Sequence, residues 1–140
     1  MKKIAIVILN WNGAKLLKEF LPSVVKYSSE ATIYVIDNAS TDDSLLVLKE
    51  DFPSVQIIQN KENFGFPKGN NIGVEQAGGK YICILNPDTV VAEDTFSKIL
   101  NSQLSTPNSQ LGIIGCKLID GAGNFLPESK RGVPTPWVAF

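Results

Sequence analysis

Short apolar runs alternate with amphipathic stretches along this chain. Ile4–Leu9 is a nearly continuous apolar run, the pattern of a parallel strand covered on both faces. In Lys15–Tyr27, Leu16, Leu17, Phe20, Leu21, Val24 and Val25 recur at helical spacing, with Pro22 placed to kink or split the helix. Thr32–Ile36 reads as a second strand. Ser40 and Asp43 make a capping box ahead of a helix from about Asp42 to Phe52, which Pro53 stops. Val55–Gln59 is a third strand. Asn63–Ala77 begins irregularly and turns helical from Pro67, with Gly69 and Gly73 weakening the helix. Tyr81–Leu85 is a fourth strand, Glu93–Leu104 a helix and Leu111–Leu118 a further strand. Asp120–Gly121–Ala122–Gly123 is a turn signal with a hairpin expected to follow.

Strand–helix alternation of this kind predicts an α/β fold: a mostly parallel sheet with helices on both faces. The 140 residues suit one domain with a real core. An apolar fraction of 44% and a mean hydropathy of +0.05 are those of a globular protein. A net charge of −1 provides no field to gather nucleic acid or an acidic membrane. The start, MKKIAIVILNWNG, imitates a signal peptide, but its apolar run is short and Asn10 and Asn12 end it. No run approaches the ~20 apolar residues of a membrane span. Cys83 and Cys116 sit in apolar runs without CxxC spacing and are expected to be buried thiols of a reducing cytoplasm. The absence of histidine excludes Ser–His and Cys–His catalysis and any His-ligated zinc. The last stretch, GVPTPWVAF, is apolar to its end, as if the fold continued in a longer parent.

The candidate chemistry lies where strands end. The first runs into Asn10–Trp11–Asn12–Gly13, the second into Asp37–Asn38, the third towards Asn60 and Asn63, the fourth into Asn86–Pro87–Asp88. Ligands of open α/β sheets bind outside the carboxyl ends of the strands. Asp37 is placed to accept a hydrogen bond from a base or ribose, or to cap a turn; residue type alone leaves both open. Pro87 stiffens its turn, so Asp88 either points off the sheet edge or simply ends an Asn-Pro turn. A carboxylate together with diphosphate oxygens suits a hard divalent cation. Trp11 either stacks on a nucleobase or packs. In Asn63–Gly73 the glycines permit close backbone approach, the amides of Asn63 and Asn70 suit a nucleotide's polar edge, and Lys68 suits a phosphate. Packing is the default for Phe64 and Phe66, and Trp137 is expected either in the core or as an exposed remnant of a missing interface.

VILNWNG (7–13), VIDNASTDDS (35–44), NFGFPKGNNIG (63–73) and LNPDTVV (85–91) together resemble the family 2 glycosyltransferases of the GT-A (Rossmann-like) fold, the rhamnosyltransferase-like members in particular. The resemblance covers roughly residues 4–118. It implies a nucleotide pocket built by Asn10, Trp11, Asp37, Asn38, Asn63, Asn70, Pro87 and Asp88, with Trp11 on the base side and Asp37 and Asn38 at a uracil or thymine ring. Asn86–Pro87–Asp88 stands at the family's DXD position with Asn in place of the first Asp, so Mn2+ or Mg2+ would rest on Asp88. The donor is expected to be a UDP-, dTDP- or GDP-linked sugar and the acceptor a glycan or lipid-linked hydroxyl.

The family inverts the anomeric centre, which needs a carboxylate general base. After Asp120 the one carboxylate is Glu128, in the loop-like context LPESKRG. The expectation is therefore that residues 1–140 are the donor-binding part of a cytoplasmic enzyme working near the inner face of the membrane in cell-surface polysaccharide synthesis. The acceptor part and base are expected to be absent, leaving this piece inactive alone. The competing reading is a non-catalytic nucleotide-binding or interaction module. A dinucleotide-dependent dehydrogenase would need G-x-G-x-x-G after the first strand, and a P-loop NTPase GxxxxGK[ST]; neither is present.

Overall fold

A computed structural model describes residues 3–104 and 112–126. The chain forms two compact units, Met1–Gln103 and Leu104–Phe140. In the first, β1 (Ile4–Asn10), α1 (Ala14–Tyr27), β2 (Ala31–Asp37), α2 (Ser44–Asp51), β3 (Gln56–Gln59), α3 (Gly65–Gln76), β4 (Tyr81–Leu85) and α4 (Thr95–Leu104) follow one another. All pairings are parallel and the sheet order is β3-β2-β1-β4. The expected α/β class and parallel sheet are therefore present.

The period of two along a strand sorts the side chains. Ile4, Ile6 and Ile8 lie in register with Ala31, Ile33 and Val35 on one side and with Tyr81, Cys83 and Leu85 on the other. This face forms the core with Leu17, Leu21 and Val24 of α1, Val47 and Leu48 of α2 and Phe96 of α4. The opposite face carries Val7, Leu9 and Ile36, against which α3 lies. Strand β1, in the middle, is covered on both faces, which is why Ile4–Ile8 is apolar throughout and wholly buried. At the edge, β4 packs one face, leaving Ile82 and Ile84 exposed.

Gly69 and Gly73 set how closely α3 approaches. A Cβ on Gly69 would stand 2.6 Å from Leu9 Cδ1, and one on Gly73 2.6 Å from both Ile36 Cδ1 and Cγ1 and 2.8 Å from Val7 Cγ1. The close approach that these glycines permit is thus to the sheet rather than to a ligand, and the cost to helix propensity is offset by burial.

Several local expectations are corrected. Helix α1 runs unbroken through Pro22. Helix α2 starts at Ser44 with Asp43 as N-cap and no side-chain cap, so the Ser40–Asp43 capping box does not form. Helix α3 starts at Gly65, before Pro67: Gly65 adopts φ 74 and its N–H donates to Asn63 Oδ1 at 2.8 Å. That leaves Pro67 in the first turn, where its missing N–H costs nothing. Cys83 is half-buried and Cys116 exposed, not both buried.

In the second unit, residues 112–118 form no strand; Gly112 and Gly115 interrupt the run, and it has no ladder partner among the described residues. The expected turn is present. Ile119 and Phe125 make an antiparallel bridge, and Leu126 N–H donates to Leu118 O at 3.0 Å. Asp120 Oδ1 accepts from the backbone of Ala122 at 2.9 Å and Asn124 at 2.8 Å, and Gly123 takes φ 85. The Asn124 side chain and these amides hold the Asp120 carboxyl below its ordinary pKa. Glu128 and Trp137 lie outside the described residues. Among those described, no helix is long and apolar enough to cross a membrane.

Candidate functional site

The strand order fixes where a ligand crevice opens. From β1 the chain moves outward through β2 to β3, then returns past β1 to β4. Helices α1 and α2, which follow β1 and β2, pack on one face of the sheet, and α3, which leads into β4, packs on the other. In such sheets the crevice lies beyond the carboxyl ends of the strands where the order reverses, here between β1 and β4. Asn10–Trp11–Asn12 leaves one side of it and Asn86–Pro87–Asp88 the other. Two backbone bonds align the neighbouring ends: Asn38 N–H donates to Asn10 O and Asn60 N–H to Asp37 O, both at 2.8 Å.

Asn10 and Asp37 face each other in register at the last rung of β1 and β2. Asp37 is fully buried. Its Oδ1 accepts from Asn10 Nδ2 at 3.2 Å and its Oδ2 from Ser40 N–H at 3.1 Å. The turn-capping role is thus realised, while each carboxylate oxygen keeps a further lone pair. Asn10 Oδ1 is buried without a partner and occupies the space a Cβ on Gly13 would need, 2.4 Å away.

Asn38 is buried at the centre of the third loop. Its Oδ1 accepts from Asn60 Nδ2 at 3.0 Å and Phe64 N–H at 3.2 Å; its Nδ2 donates to Asn63 Oδ1 at 2.7 Å. Asn38 therefore holds the loop that carries Asn63 rather than presenting its amide to solvent. Asn70, on the first turns of α3, donates from Nδ2 to Phe66 O at 2.9 Å, and its buried Oδ1 has no partner. Lys68 lies with Nζ 3.9 Å above the Phe64 ring.

Trp11 is 57% exposed and Phe66 61%, so neither packs as a core aromatic. Pro87 is half-buried and Asp88 exposed, with no hydrogen-bond or ion-pair partner for Asp88 among the described residues. Behind it the chain is tied down: Val91 is buried and its N–H donates to Ser23 Oγ on α1 at 3.2 Å.

Sequence reading missed the residues that join the first two loops. Ser40 Oγ accepts from Asn12 N–H at 2.9 Å and Asn10 Nδ2 at 3.2 Å. Asn12 Oδ1 accepts from Thr41 N–H at 2.7 Å, and Asp42 Oδ2 from Ala14 N–H at 2.9 Å. The available signal was the run Ser40–Thr41–Asp42–Asp43, read as a helix cap because local spacing does not show that Asn12 comes alongside.

The Asp42 contact has a pH dependence of definite sign. Burial pushes its pKa up, but hydrogen bonds from the Ser44 side chain and from the Ala14, Ser44 and Asp42 backbone outweigh that and hold the carboxyl below its ordinary value. A depressed folded-state pKa contributes stability that is complete above the unfolded value, about 4, and is lost as pH falls through the folded one. In thermal melts Asp42→Ala should lie below the parent at neutral pH, and the gap should narrow as pH falls below about 4. A gap that persisted into acid would show that the ionised carboxylate contributes nothing.

Residues 5–120 match the family model described as Glycosyl transferase family 2. The chain is 27% identical over 135 residues to the poly(ribitol-phosphate) beta-N-acetylglucosaminyltransferase TarP of Staphylococcus aureus strain N315, covering 92% of this chain and 41% of TarP. It is 27% identical over 103 residues to the minor teichoic acid biosynthesis protein GgaB of Bacillus subtilis strain 168, covering 69% of this chain and 11% of GgaB. The chain thus spans less than half the length of these relatives. Among solved structures, the mannosyltransferase PcManGT of Pyrobaculum calidifontis, in complex with GDP-Man and Mn2+, superposes with a TM-score of 0.65 at 22% identity, over 75% of this chain and 33% of that one. That likeness shows the GT-A fold.

Proposed function

The chain belongs to glycosyl transferase family 2, and from that premise we propose that the crevice between the ends of β1 and β4 holds the nucleoside diphosphate of a sugar donor. The observation that carries this reading is the switch point in the sheet, which brings Asn10, Trp11, Asp37 and Asp88 to one edge. Trp11, exposed and flat, stacks on the base. Asp37 serves the base side by fixing Asn10 and the turn at Ser40. Asn38 acts through the loop it holds, Asn63 and Asn70 line the pocket, and the unpartnered Asn70 Oδ1 accepts from the nucleotide. Pro87 stiffens the turn that carries Asp88.

The described residues contain no group of three or more acidic or cysteine ligands. Mg2+ is commonly held by one or two carboxylates plus phosphate oxygens, and the exposed Asp88 supplies such a carboxylate. Bound there with the diphosphate, Mn2+ or Mg2+ would neutralise charge on the leaving group. The Mn2+ in the complex of the mannosyltransferase supports this assignment by analogy.

In the whole protein the reaction is transfer of the sugar, with inversion, to a hydroxyl of a glycan or lipid-linked acceptor, at the cytoplasmic face of a membrane, in polysaccharide synthesis. The carboxylate base that such a displacement requires lies outside the described cluster. Residues 1–140 supply the binding of the donor nucleotide. Calorimetric titration with UDP, dTDP and GDP, each with and without Mn2+, tests the reading: heat with at least one, increased by Mn2+, is expected. No heat from any of them in a folded sample would overturn it.

A further inference from the structure

Two non-glycine residues beside this crevice stand in the left-handed region, Asn12 at φ 51 and Ala39 at φ 60. Such conformations persist where the surroundings over-determine them, and they gather at functional sites. Here the surroundings are explicit. Asn12 is held at both ends, its N–H on Ser40 Oγ and its Oδ1 by Thr41 N–H at 2.7 Å and Thr41 Oγ1 at 3.3 Å. Ala39 turns the chain so that Ser40 N–H reaches Asp37 Oδ2, and Ser40 Oγ in turn receives Asn10 Nδ2. Trp11 therefore sits between two pinned residues, with its backbone fixed and its indole left 57% exposed.

A large aromatic held out in water by a rigid frame gains little from packing. With the backbone beneath it already ordered, less freedom remains to be lost when a planar ligand lands on it, and affinity is gained by cutting that ordering cost. We propose that Asn12 and Ser40 are positioning residues that pre-set Trp11 as a stacking platform for the nucleobase. The proposal rests on the nucleotide reading above. Neither residue needs to touch the ligand: both lone pairs of Ser40 Oγ and the Asn12 amide oxygen are already engaged within the frame.

The test uses a Trp137→Phe background, in which Trp11 is the one indole. Asn12→Gly keeps the left-handed backbone and deletes the amide. Ser40→Ala removes the shared acceptor, and Ser40→Thr restores the hydroxyl. Without nucleotide, Trp11 fluorescence anisotropy should fall in Asn12→Gly and Ser40→Ala and return in Ser40→Thr. The affinity for whichever of UDP, dTDP or GDP binds best should fall about tenfold in the first two and recover in the third. A purely structural role would lower the melting temperature without moving ligand-free anisotropy. Parental anisotropy and affinity in both variants would overturn the positioning role while leaving the nucleotide site intact. A parent that binds none of the three nucleotides would overturn the nucleotide reading and this role with it. Should Ser40→Ala not fold, Asn12→Gly, which removes an exposed amide, decides the matter.

Discussion

Asn38→Ala should lower stability by about 3 kcal/mol, a fall in melting temperature of roughly 15 °C for a unit of this size. The residue is 1% exposed and ties the end of β2 to three residues of the loop between β3 and α3. Its removal strands the Asn60 amide, itself buried, frees Phe64 N–H, and leaves Asn63 Oδ1 with Gly65 N–H alone. A buried donor or acceptor left unmade costs about 1–3 kcal/mol, and only part of this one's surroundings can turn to water. The damage should be local first. Hydrogen exchange at Asn60–Gly65 should accelerate more than in the β1–β2 ladder, since local opening is cheapest where backbone contacts are few. Nucleotide binding should fall with it, because Asn63 is placed by this residue. A loss below about 1 kcal/mol, with exchange in that loop unchanged, would show that water replaces the asparagine and that Asn38 does not hold the loop.

Asp88→Ala should do the reverse, leaving the fold alone and removing an effect of binding. Asp88 is exposed and unpaired among the described residues, so its truncation should shift the melting temperature within the scatter of surface substitutions, about 0.5 kcal/mol. Loss of the carboxylate that completes a cation's shell with the diphosphate should weaken Mn2+-supported nucleotide binding by on the order of 10–100-fold. Binding without metal should be nearly unchanged, so the variant's affinity should become independent of Mn2+. Titrations of both proteins with and without Mn2+ decide this. Mn2+ dependence equal to the parent's would remove Asp88 from the metal site.

The two residues were legible in the sequence to different degrees. Asp88 follows a clear apolar run and a proline, so its place at a strand end could be read directly. Asn38 follows the second strand in the same way, and its residue type suggested a ligand contact. Its three loop partners are 22 to 26 positions away, beyond any local pattern. The same limit explains the misread capping box, since the Ser40 hydroxyl is used 28 residues back at Asn12. It also explains the run at 111–118. Apolar residues of suitable number mark a possible strand, but a strand exists only with a neighbour to pair with, and a run does not report its neighbour.

By itself the sequence determined the alternation of strands and helices, the burial of β1 on both faces, and the polar Asn and Asp residues that close each strand. These follow from periodicity and residue chemistry, which act over a few positions. The order β3-β2-β1-β4, and so the switch point that opens the crevice, was decided only by tertiary structure. So were the job of Gly69 and Gly73 against the sheet and the frame that holds Trp11 in water. Each depends on which distant segment arrives alongside. That is set by the packing of whole faces, and the faces carry no label of their partners in the local pattern.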